Sequence, residues 1–185
     1  MRFDKLTYRR RHRPPRSGRP RGWRPQTWRG ILLAAALVVL ALVVERLIPP
    51  LTGQVRVADG DSLEVAGERV RLDGLDAPEL HQSCGEGAQS WPCGMKARAA
   101  LEALVAQGEV TCRPVDEDRY GRAVARCAVN GADIGAALVR TGWAVATSLA
   151  YRGEERSARA AGAGIWAGPF EMPADWRARH PRPAE

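Results

Sequence analysis

Fifteen consecutive residues, Gly30 to Val44 (GILLAAALVVLALVV), carry no charged or polar side chain. This run divides the chain into parts that must fold by different rules. A helix of that length spans about 22 Å, against a hydrocarbon core of about 30 Å. Trp28 and Arg29 before it, and Glu45 to Ile48 after it, can lengthen it by snorkelling, and Pro49-Pro50 ends it. A buried core helix is disfavoured because the run has no polar face. A cleaved signal peptide is disfavoured because the segment before the run is long and no A-x-A site follows. The expectation is a single-pass membrane anchor over residues 30–48, followed by a linker at 49–52.

Charge is spread just as unevenly. Residues 1–29 hold ten arginines, Lys5 and a single acid, Asp4, for a net +10, whereas the whole chain carries +7. Residues 30–185 are therefore net −3. Overall basicity describes the tail, so it supports no nucleic-acid argument for the rest. That tail is rich in Arg, Pro and Gly and poor in aliphatic residues, which predicts disorder. The positive-inside rule sets it in the cytoplasm. The rest then lies outside the inner membrane, in an extracytoplasmic or periplasmic location.

All four cysteines, Cys84, Cys93, Cys112 and Cys127, follow the anchor. An even number outside the cytoplasm favours disulfides, and four cysteines allow three connectivities. The favoured pairs are 84–93 and 112–127. Positions 112 and 127 are symmetric about the middle of a predicted hairpin and so face one another across it. A zinc site is disfavoured: there is no C-x-x-C, and His81 is the only histidine near a cysteine in sequence.

Beyond the linker, GQVRVA, SLEVAG and RVRLDG alternate as three short strands joined at Asp59-Gly60-Asp61 and Ala66-Gly67-Glu68. A Gly- and Pro-bearing loop leads to an amphipathic helix in MKARAALEALVAQG. EVTCRPV and AVARCAV are two further strands around DEDRYGR. Asn130-Gly131 is a turn, and Asp133 caps a short helix. A last helix runs from about Gly153 to Ala163, and GIW after it reads as a core plug. The predicted fold is α+β and mainly β: a five-stranded antiparallel barrel close to an OB-fold, with three helices packed on it. It occupies residues 53–170, and 171–185 form an irregular C-terminal tail.

The charges in VADGDSLEVAGERVRLDGLDAPEL cluster at turns and strand ends, where they can converge. Asp61 and Asp76, with the Ala77 carbonyl, make an oxygen set suited to one hard cation such as calcium. Glu79 is then placed to take a proton from a bound water. Arg71 lies between Val70 and Leu72 and so points away from the face they bury. Arg122 opens the strand after DRYG. Two guanidiniums facing a cation would surround a phosphodiester with positive charge.

Taken in order, VADGDSLEV, VRLDGLDAPEL, DRYGR, ALVRTGWA and GIW closely resemble the staphylococcal nuclease (thermonuclease) family over roughly Gly53 to Gly168. The resemblance implies an OB-type barrel with three helices. It also implies calcium-dependent hydrolysis of DNA and RNA phosphodiesters to 3′-phosphates. By that match Asp61, Asp76 and the Ala77 carbonyl hold calcium, Glu79 is the general base, Arg71 and Arg122 grip the phosphate, and Arg119 and Tyr120 line the nucleotide site. Ala77 stands where the family usually has Thr. Ser148 and Ala150 stand where it has tyrosines that pack on the nucleotide, and the adjacent Tyr151 is a candidate substitute.

The expectation is a monomeric, membrane-anchored, calcium-dependent nuclease acting on DNA, RNA or both. The alternatives are a catalytically inactive barrel that binds nucleic acid or protein, and an envelope protein acting on another phosphodiester or in polysaccharide assembly. Retention of every acidic position favours the enzyme, because unpaired carboxylates in a dead site would only repel phosphate.

Overall fold

A computed structural model describes residues 26–47 and 49–181. The predicted disordered tail falls outside these residues except for its last four positions. Those four begin helix α1, Gln26–Leu47. The chain divides into two units, Met1–Glu45 and Arg46–Glu185.

The apolar side chains described on α1, from Ile31 to Leu40 and at Leu42 and Val43, are exposed. The side chains of Ala41 and of residues 44–48 lie outside the described set, and with them the end of the predicted anchor. Among the described residues, no helix is long and apolar enough to cross a membrane.

The second unit opens with β1 (Leu51–Thr52), β2 (Val55–Val57), β3 (Ser62–Val65), β4 (Glu68–Leu72) and β5 (Leu75–Asp76). Helix α2 (Cys93–Val105) follows, then β6 (Val110–Glu117), β7 (Ala123–Val129), β8 (Ala132–Asp133) and α3 (Ile134–Arg140). The chain ends with β9 (Val145–Ala146), α4 (Arg152–Ala161) and α5 (Pro173–Arg179). The main sheet runs β1-β6-β7-β4-β3-β2, with β8 on β7, and β5 pairs separately with β9. It curls into a half-barrel consistent with the OB type.

Two expectations need correction. The sheet is not wholly antiparallel, nor limited to five strands. β4 and β7 pair in parallel, Val70 opposite Ala123 and Leu72 opposite Ala125. A parallel pair needs a long crossover, and β5, α2 and β6 supply it. The C-terminal segment is also not irregular throughout. Pro173 opens α5 at its first turn, where its missing N–H costs nothing, and Asp175 near the start and Arg177 and Arg179 near the end suit the helix dipole.

Alternation along the strands builds the core. Leu63 and Val65 on β3, Val70 and Leu72 on β4, and Ala125, Cys127 and Val129 on β7 point inward, with Ala97 and Leu101 of α2 and Ile134 and Leu138 of α3 packed among them. Arg71, between two buried neighbours, is thereby turned to the opposite face. Asp133 caps α3 by accepting from the Ala136 N–H at 2.9 Å, as expected of Asp at that position.

Both favoured disulfides are formed. Cys112 and Cys127 are directly opposite in the β6–β7 ladder, with Cα atoms 4.0 Å apart. Cys84 and Cys93 are bonded with Cα atoms 5.6 Å apart. This second pair packs with Val145 and Ile165, against Trp91, Trp166 and Phe170, in a separate apolar cluster. Ile165 of the GIW segment is thus the core plug read from sequence.

Candidate active site

The site starts at the turn between β2 and β3. The Asp61 N–H donates to Asp59 Oδ1 at 3.1 Å, tightening that turn. A Cβ on Gly60 would stand 2.8 Å from the Ala77 Cβ and 2.9 Å from the Ala97 Cβ. Only glycine therefore lets the turn press against the end of β5 and against α2. That approach brings Asp61 to Asp76 and Ala77, and the Ala77 N–H points at Asp61 Oδ2 from 3.5 Å. Asp61 and Asp76 are each only 4% exposed.

Two carboxylates removed from water need compensation. Arg71 supplies part of it from β4: its Nη2 lies 2.8 Å from Asp61 Oδ2 and 2.7 Å from Asp76 Oδ1. Even so, burial pushes the Asp61 carboxyl up to about 7. The Arg71 charge and the Ser62 hydroxyl pull it down, while the charges of Asp59 and Asp76 push it further up.

Glu79 follows β5 in a loop that is held from two sides. Its N–H donates to Gln82 Oε1 at 3.2 Å. At the start of α2, a Cβ on Gly94 would fall 1.7 Å from the Glu79 carbonyl oxygen, so glycine is required there as well.

Arg122 reaches the carboxylates indirectly. Its Nη1 donates to Ser62 Oγ at 3.3 Å, and Ser62 Oγ donates to Asp61 Oδ1 at 2.9 Å. Ser62 is also the β3 residue opposite Arg71. The Arg122 Nε bonds Asp118 Oδ2 at 2.7 Å. Slight burial raises the Asp118 pKa, but hydrogen bonds from Arg122 and from the Tyr120 N–H outweigh it and hold the group below its ordinary range. In the same turn Tyr120 is 62% exposed. Arg119 and Arg122 stand 4.9 and 5.7 Å from its ring centroid. The turn thus carries an aromatic face flanked by two cations at the rim of the site.

The structure therefore joins Asp61, Arg71, Asp76, Ala77 and Arg122 in one polar network, with Glu79 at its edge and Arg119 and Tyr120 beyond Arg122. The arrangement differs from two arginines facing the carboxylates across a gap. Arg71 sits directly on the carboxylates, and Arg122 stands behind Ser62. Tyr151 does not substitute for a nucleotide-stacking tyrosine. It is buried in the core, and its hydroxyl bonds both Asp133 carboxylate oxygens at 3.2 Å. Among the described residues, no group of three or more His, Cys, Asp and Glu gathers as a metal-holding set.

One site residue escapes the sequence reading altogether. Arg177 on α5 donates from Nη1 to Asp76 Oδ1 and Glu79 Oε1, and from Nη2 to Asp76 Oδ2, each at 2.9 Å. Its helix could be found from Pro173 and the flanking charges. Its destination, 101 residues back along the chain, could not.

A family model described as staphylococcal nuclease homologue matches residues 69–168. The succinoglycan biosynthesis protein ExoI of Rhizobium meliloti is 39% identical over 124 residues, covering 63% of this chain and 65% of that protein. Protein ParB of Escherichia coli is 33% identical over 144 residues, 66% of this chain and 76% of ParB. An uncharacterized endonuclease of Haemophilus influenzae is 31% identical over 135 residues, 66% of this chain and 70% of its own length. The chain thus spans just under two thirds of the first of these and more of the other two.

Proposed function

The chain belongs to the staphylococcal nuclease homologue family, and from that premise we propose that it is a nuclease hydrolysing phosphodiesters of DNA, RNA or both. One observation carries the reading: Arg71 Nη2 lies between Asp61 and Asp76 at 2.8 and 2.7 Å. Two buried acids and a phosphate-binding side chain thus share one point in space.

Asp61, Asp76 and the Ala77 carbonyl are hard oxygen donors of the kind that hold a calcium ion. A calcium ion bound there would polarise a phosphoryl oxygen and favour ionisation of a water. Glu79 takes the proton from the attacking water. The water oxygen bonds to phosphorus, the P–O5′ bond breaks, and the 5′-oxygen leaves and takes up a proton from solvent water, so the phosphate stays on the 3′ side. Arg71 and Arg122 donate N–H groups to the non-bridging oxygens, where charge builds up in the transition state. Arg119 and Tyr120 receive the nucleotide on their exposed turn.

The charge-free run at 30–44 and the arginines before it support attachment to the inner membrane by the N-terminal helix. On this reading the catalytic unit is extracytoplasmic and monomeric. Two disulfides suit that compartment.

The test is cleavage of single-stranded DNA and RNA by the full chain, with calcium and with a chelator, beside Glu79→Gln and Arg122→Ala. Calcium-dependent cleavage should fall about 10²- to 10³-fold in Arg122→Ala and at least as far in Glu79→Gln. Equal cleavage by all three proteins would overturn the mechanism, and no cleavage by the parent would overturn the activity.

A further inference from the structure

We propose that Arg177 is a built-in counter-ion which a divalent cation must displace from Asp76 and Glu79, so that α5 sets the cation affinity of the site. The inference rests on the reading that Asp61 and Asp76 hold such a cation. Arg177 is here a positioning residue, acting through the two carboxylates.

The geometry is that of an occupant. The guanidinium forks onto both oxygens of Asp76 and extends one nitrogen to Glu79. A bidentate fork takes up the in-plane lone pairs that a calcium ion would use. Guanidinium and divalent cation therefore compete for the same oxygens. A dication in place of Arg177 would bring twice its charge to the same carboxylate oxygens, so the exchange is favourable once the ion is present.

The contact is built rather than casual, because the segment leading into its helix is tied to the Glu79 loop. Gln82, fully buried, donates from Nε2 to the Glu171 carbonyl at 2.7 Å. The Gly85 N–H donates to the Pro169 carbonyl at 2.8 Å. Pro173 at the head of α5 is buried. These ties hold the backbone of the C-terminal segment to the loop that carries Glu79. The Arg177 side chain itself is 38% exposed, against 5% for the Asp76 side chain. It enters from solvent and can swing back into water while the core stays packed. Arg71, arriving from the sheet, is less exposed, at 23%.

Competition lowers apparent affinity by the fraction of molecules with the site open. A fork closed about nine times in ten would weaken apparent cation binding about tenfold. The test is calorimetric titration of calcium into the full chain and its Arg177→Ala, Arg177→Lys and Asp76→Asn variants, with no nucleic acid present. Arg177→Ala should bind calcium about tenfold more tightly than the parent, and Arg177→Lys, charged but unable to fork, should fall between them. Asp76→Asn should lose most of the binding. A merely structural role for Arg177 would weaken binding on removal, not strengthen it. Equal or weaker binding in Arg177→Ala, with Asp76→Asn still defective, would overturn the inference and leave the cation site standing. Should Arg177→Ala not fold, binding by Arg177→Lys no tighter than the parent's would overturn it equally. Full binding by Asp76→Asn, or none by the parent, would remove the cation site and the inference together.

Discussion

Gln82 and Glu171, 89 residues apart, are joined by a hydrogen bond of 2.7 Å from the Gln82 amide to the Glu171 carbonyl. The other end of the same amide accepts from the Glu79 N–H at 3.2 Å. One buried side chain thus ties the loop bearing the proposed base to the segment bearing Arg177. Gln82→Ala would orphan a backbone donor and a backbone acceptor at once. The expected cost is about 2–3 kcal/mol, read as a lower urea midpoint at unchanged slope. Nuclease activity should fall as well, because the loop loses its brace. An unchanged midpoint would show that the bridge carries no weight.

Ser62 connects Arg122 to the acidic pair, accepting from the guanidinium at 3.3 Å and donating to Asp61 at 2.9 Å. Ser62→Ala deletes that link without removing any ionisable group. The guanidinium then loses its alignment rather than its presence. A fall in kcat of about tenfold, worth about 1.4 kcal/mol, is expected with KM little changed. A rise in KM at constant kcat would instead assign Arg122 to ground-state binding.

Tyr151 supplies a pH dependence whose sign can be worked out. Burial raises its phenol to about 12, and the Asp133 carboxylate, with its charge and hydrogen bonds, adds to the effect. The unfolded phenol titrates near 10. Between these values the folded state holds the proton that the unfolded state has released. The stabilisation is therefore complete below pH 10 and is lost as pH rises towards 12. Tyr151→Phe should flatten the loss of stability across that window in denaturant titrations. Parallel curves for the two proteins would rule out the linkage.

The strands, the Asp-Gly-Asp turn, the α3 cap and the facing cysteines were legible because each depends on neighbours in sequence. Val70, Arg71 and Leu72 alternate whatever lies beyond them, and alternation alone turns Arg71 from the core. The parallel β4–β7 pair was not legible, since nothing in Val70 or Ala123 records which strand each will meet. The same limit hid Arg177. Its charge could be seen, but its partner was fixed by Gln82, Pro173 and the loop after Glu79 acting together. Tyr151 misled for a related reason. A tyrosine beside an expected nucleotide site reads as a stacking group, and only the fold shows its ring beneath α3 with Asp133 holding the hydroxyl.

The two disulfides should separate stability from catalysis. Cys112–Cys127 closes a span of 15 residues within the main core, for which chain entropy predicts about 3 kcal/mol of stabilisation. Cys84–Cys93 closes only 9, worth somewhat less on the same grounds. It lies, however, at the base of the Glu79 loop: Cys93 heads α2, and the next residue, Gly94, packs on the Glu79 carbonyl. Replacing Cys112 and Cys127 with Ala should lower the unfolding midpoint more, leaving kcat of the remaining folded protein near the parent value. Replacing Cys84 and Cys93 should do the reverse, with the smaller loss of midpoint and the larger loss of kcat. The comparison needs both variants measured for both quantities, well below their midpoints. Equal catalytic losses would mean that the short bridge contributes to the fold alone and that Gln82 by itself suffices to set Glu79.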